Sequence, residues 1–113
     1  MITPIRFALR LTYEKFKDWF FLKFRNPYGL KPYGCAPVQA EGYLPTGEWY
    51  YFRARGRQWG IDICQSEKDW WNSQYLWTAR EKYPDASCMP TFDVIKLATK
   101  AIKQYANQRN QSR

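Results

Sequence analysis

The chain has 113 residues, 45% hydrophobic and 19% aromatic, with six tryptophans and a formal net charge of +8. These proportions fit one folded domain with a modest core and exclude disordered and collagen-like chains. Histidine is absent, and Cys35, Cys64 and Cys88 stand far apart with no CxxC pair. That pattern argues against a structural zinc site, and no metal or other cofactor is expected.

The positive excess concentrates in residues 1–34 and 91–113, while the middle is nearly balanced. Such a charge suits nucleic acid, anionic lipid or an acidic protein, and equally an ordinary basic domain. The longest apolar run near the start, Trp19 to Leu22, is too short for a signal-peptide core. No stretch has the length to span a bilayer. A cytoplasmic protein with no membrane partner is expected, its cysteines being core fillers or plain thiols.

Taken in chain order, Thr12 caps an expected helix from Tyr13 to about Arg25. Tyr13, Phe16, Phe20 and Phe24 form its apolar stripe, which Trp19, Phe21 and Leu22 widen beyond that of a surface helix. Pro27 ends it, and NPYGLKPYG reads as a turn-rich connector.

Gln39 to Cys64 reads as three antiparallel strands. Leu44-Pro45-Thr46-Gly47-Glu48 suits a three-residue hairpin loop with Gly47 in the left-handed position. This register sets Tyr43 opposite Trp49, Glu41 opposite Tyr51 and Gln39 opposite Arg53. A second turn at Gly56-Arg57 sets Arg55 opposite Gln58, Phe52 opposite Ile61 and Tyr51 opposite Asp62. Both registers sort the side chains alike, which a one-residue slip would spoil. One face collects Val38, Ala40, Leu44, Tyr50, Phe52, Ala54, Trp59, Ile61 and Ile63. The other collects Gln39, Glu41, Tyr43, Trp49, Tyr51, Arg53, Arg55, Gln58 and Asp62.

Ser66 with Asp69 three residues on resembles a helix cap, so a short helical turn is expected near Glu67 to Trp71. The alternation of Tyr75, Trp77 and Ala79 predicts a fourth strand through Gln74 to Arg80. From Phe92 to about Gln108 the pattern is helical, with Thr91 as cap and Asp93 near the positive end. Its apolar face is Phe92, Ile95, Ala98, Ile102 and Tyr105, the cover that the apolar sheet face requires. Residues 109–113 are expected to fray. The reading is therefore a small single α+β domain over residues 1–108. A three- or four-stranded antiparallel β-meander packs against a C-terminal helix and an N-terminal helix.

The sequence offers little chemistry. Glu41 and Asp62 flank Tyr51, but ion pairing with the nearby arginines accounts for them more simply than acid-base catalysis. Neither Cys64 nor Cys88 has a histidine to activate it, and RGR at Arg55 to Arg57 is a turn, not a phosphate loop. No catalytic residue is assigned, and a non-enzymatic binding module is expected. Trp49, Tyr51 and Tyr43 suit stacking on unpaired bases, and Arg53, Arg55 and Arg57 suit phosphates, which names RNA or DNA as ligand. The alternative is a protein-interaction or assembly module, including a homodimer, that buries the same aromatic face.

Overall fold

A computed structural model describes residues 25–111. Four strands, β1 (Val38–Tyr43), β2 (Trp49–Arg55), β3 (Gln58–Cys64) and β4 (Trp77–Lys82), form one antiparallel sheet in sequence order. A five-residue helix α1 (Glu67–Trp71) lies between β3 and β4, and a long helix α2 (Thr91–Gln111) follows. The small α+β domain with an antiparallel meander and a C-terminal helix is thus observed. The expected N-terminal helix lies outside the described residues, apart from its last residue, Arg25.

The two tight turns set the registers. Leu44 N–H donates to Glu48 O (2.8 Å), Gly47 N–H donates to Leu44 O (2.9 Å), and Gly47 takes φ 101°. Gly56 takes φ 65°, the positive value needed at the head of a two-residue hairpin loop. Tyr43 consequently pairs with Trp49, Glu41 with Tyr51 and Gln39 with Arg53. Across the second turn Tyr51 pairs with Asp62 and Arg55 with Gln58, as the sequence implies.

β4 starts three residues later than expected and runs two further. Its alternation has the expected phase, with Trp77 and Ala79 on the apolar side opposite Ile63 and Ile61. The shift follows from the exit of α1: Gln74 N–H is still bonded to Asp69 O (2.8 Å), so the chain joins the sheet only once Leu76 N–H reaches Ile63 O (2.8 Å). α2 likewise continues past Gln108 to Gln111.

The apolar sheet face and α2 make the core. Val38, Ala40, Leu44, Tyr50, Phe52, Ala54, Trp59, Ile61 and Ile63 are all buried, with Val94, Ile95, Ala98, Ile102 and Tyr105 above them. Phe92, expected on that apolar face, is half exposed (52%). At the far end Glu48 is buried. It accepts from Tyr105 Oη (2.6 Å) and pairs with Arg109 Nη1 (2.6 Å), pinning the last turns of α2 to the head of β2.

The cysteine expectation needs correction. Cys35 and Cys88 form a disulfide with a Cα–Cα distance of 4.7 Å across 53 residues. Only Cys64 is a free thiol among the described residues. Backbone bonds bring the two half-cystines together: Ala36 N–H donates to Ser87 O (2.5 Å). The same β4–α2 loop clasps the Gly56–Arg57 turn. Ser87 Oγ accepts from Gly56 N–H (2.9 Å), Ala86 N–H donates to Gly56 O (2.9 Å), and Tyr83 N–H donates to Arg57 O (3.0 Å).

Candidate binding face of the sheet

On the second face the residues form cross-strand rows. Arg55, Gln58 and Lys82 make one row, and Gln39, Arg53, Gly60 and Arg80 make the next. Glu41, Tyr51, Asp62 and Thr78 follow, then Tyr43, Trp49 and Cys64. The face therefore grades from cationic at the Gly56–Arg57 turn to acidic and aromatic at the opposite end.

α1 folds back over this second half. Ser66 Oγ accepts from Asp69 N–H (3.2 Å) and caps the helix, so the helix starts early enough to swing Trp70 over the sheet. Trp70 Nε1–H donates to Asp62 Oδ2 (3.2 Å), and its ring packs on Tyr51 with centroids 4.6 Å apart. Asp62 Oδ1 takes Arg80 Nη2 at 2.7 Å, and Arg80 Nη1 also reaches the Ala79 and Ile61 carbonyl oxygens. Asp62 is thus a buried carboxylate satisfied from two sides, as a buried charge must be. Tyr51 Oη donates to Gln39 Oε1 (2.5 Å). Burial pushes the Tyr51 pKa up, Arg53 opposes this, and Glu41 and Asp62 add to it, so the group is a neutral phenol at ordinary pH.

Between α1 and the Gly56–Arg57 turn lies a cavity of about 440 Å³, which Tyr51, Arg53, Arg55, Gln58, Asp62, Trp70, Tyr75 and Arg80 line. This volume falls in the usual range of ligand sites, about 300–1,000 Å³. Arg53 and Arg55 are exposed and form no ion pair among the described residues.

The six residues named from sequence separate here. Tyr51, Arg53 and Arg55 line the cavity, and Arg57 sits exposed in the turn beyond it. Trp49 is buried (9% exposed), its indole N–H without a hydrogen-bond partner among the described residues, and Tyr43 packs edge-on against it at 4.9 Å. Trp49 is therefore a support for Tyr43 and offers no free stacking surface. Sequence reasoning missed Trp70, Tyr75 and Arg80. The phase of the β4 alternation, which puts Arg80 on the Arg53 side, was the available signal for one of them.

Cys64 closes the last row and is fully buried. Burial, with Asp62 and Asp69 nearby, pushes its thiol pKa up to about 11, so it carries no thiolate at neutral pH. No group of three or more metal-ligating side chains occurs among the described residues, and none of their helices is long and apolar enough to cross a membrane. Comparison of the chain with protein-family models, curated proteins and solved structures finds no match.

Proposed function

We propose that this chain is a non-enzymatic binding module that takes nucleic acid on the second face of its sheet. The observation that carries the reading is the cavity in which Arg53 and Arg55, two arginines without ion-pair partners among the described residues, stand beside Tyr51, Trp70 and Tyr75. Cationic side chains recruit phosphates, and aromatic side chains stack on bases whatever their sequence. The overall charge of +8 supports encounter with a polyanion. Fluorescence anisotropy with short labelled RNA and DNA at two salt concentrations tests it. Binding should weaken steeply with salt and on Arg53→Ala.

A protein-interaction or self-assembly module is the second reading. It draws on Tyr43 and Trp71, 60% and 70% exposed, at the aromatic end of the face. Large aromatics exposed at the rim of a groove are typical anchors in protein interfaces. Salt-insensitive dimerisation in light scattering, lost on Trp71→Ala, would favour it.

The cytoplasm expected from unpaired thiols loses that ground. The Cys35–Cys88 bond favours an oxidising compartment for the working protein.

A further inference from the structure

We infer that the face holds a short single strand in one orientation, its phosphates along β2 over Arg53 and Arg55 and its bases toward Tyr51, Trp70 and Tyr75. The inference rests on the nucleic-acid reading above and adds strandedness, footprint and register to it.

Three features of the face fix this arrangement. First, its charges are not interchangeable. Arg80 is committed to Asp62 at 2.7 Å and to two backbone carbonyls, which leaves Arg53 and Arg55 as the available cations of the cavity. They lie two residues apart on one strand and so roughly 6.8 Å apart along it, a separation that suits successive phosphates of an extended strand. Second, the row one step further holds Glu41 and Asp62. The Glu41 carboxylate repels phosphate and the Asp62–Arg80 pair offers it no net positive charge, so the backbone of the ligand stays at the arginine end and the bases fall at the aromatic end.

Third, the shape excludes a duplex. α1 walls one end with Trp70, and the volume of about 440 Å³ accommodates a nucleotide or two, not stacked base pairs. The aromatic surface faces the cavity and would meet bases only if they were unpaired. Gly60 keeps the floor between Arg53 and Arg80 low, since a Cβ there would stand 2.5 Å from Arg80 Cδ.

Anisotropy titrations with 5′-labelled single strands of two to ten nucleotides and with a ten-base-pair duplex test this, using the whole chain with its disulfide intact. Affinity should rise to about three nucleotides, the shortest chain with two internucleotide phosphates, and then level, single strands should bind at least tenfold tighter than the duplex, and log K should fall with log salt at a slope of about −1.4. Arg53→Gln and Arg55→Gln should each reduce that slope by about 0.7, whereas Lys96→Gln, on α2, should leave it unchanged. Tyr75→Ala should weaken binding about tenfold at an unchanged slope. Unfolding midpoints of each variant establish that it is folded.

Equal affinity for the duplex, affinity still climbing at ten nucleotides, or a slope indifferent to Arg53 and Arg55 would overturn the inference while nucleic-acid binding itself stood. No binding of any oligonucleotide at low salt would remove both.

Discussion

Arg80 lies across Gly60, its cross-strand neighbour. A Cβ built on Gly60 would meet Arg80 at Cδ (2.5 Å), Nη1 (2.7 Å) and Nε (2.8 Å). The missing side chain on β3 is what lets a β4 arginine reach Asp62. Because Arg80 is half exposed and flexible, Gly60→Ala should displace it rather than unfold the sheet. The expected cost is about 1 kcal/mol, the loss of one partly exposed charge-assisted pair. In an Arg80→Ala background the same substitution should be neutral or slightly stabilising, since alanine in a strand outperforms glycine. Urea unfolding of the two single variants and the double variant reads the sign change, and additivity would refute the coupling.

Trp70 couples α1 to the sheet through one hydrogen bond and one ring contact. Trp70→Phe keeps the packing and loses the bond to Asp62, at an expected cost of about 1 kcal/mol. Trp70→Ala should cost about 2–3 kcal/mol and detach a helix too short to persist alone. Near-UV circular dichroism, to which the Tyr51–Trp70 pair contributes, should change strongly for Trp70→Ala and little for Phe.

Glu48 gives the fold an acid sensitivity of predictable sign. Burial acts to raise its pKa, but hydrogen bonds from Thr46 and Tyr105, together with the Arg109 charge, outweigh it and hold the group below its ordinary value of 4.5. The stabilisation is therefore fully present above about pH 4.5 and is lost as the pH falls through the lowered pKa. Glu48→Gln should flatten the stability curve below pH 4.5. Glu48→Ala should cost about 2–3 kcal/mol at pH 7, since it strands Arg109 and the Tyr105 hydroxyl at the end of α2. Thermal unfolding from pH 3 to 7 checks both.

The disulfide closes a loop across 53 residues, which chain-entropy arguments value at up to about 4 kcal/mol. Both half-cystines are exposed, so a mild reductant should reach them. Cys88→Ser, Cys35→Ser and the double variant should lower the unfolding midpoint equally. The slack should appear first in hydrogen exchange at Gly56 and Ala86, whose amides bond within the clasp between turn and loop.

The meander was legible from sequence because two turn signals, Pro45-Thr46-Gly47 and Gly56-Arg57, fix register independently and agree. The cap at Ser66 likewise set α1 to the residue. What failed to show had physical reasons. Three cysteines permit three pairings, and spacing alone does not choose between them; contacts between two distant loops did. Trp49 and Tyr51 alternate on the same face, and periodicity cannot tell which of two like-facing aromatics ends up covered. The cavity has no signature in the sequence because its wall, Trp70, comes from a five-residue helix whose docking no local pattern encodes.

The two borders of the sheet carry a further consequence for how molecules of this protein meet one another. Beside β1, Tyr33 exchanges both backbone hydrogen bonds with Gln39 (2.8 Å each), so a stranger chain finds part of that ladder taken. β4 presents Arg80, Glu81 and Lys82, all exposed, along the other border. Charged, short or occupied edges are how natural sheets resist adding strands from their neighbours. Copies of this chain brought close together would thus find neither border of the sheet open to plain strand addition, which works against fibre growth.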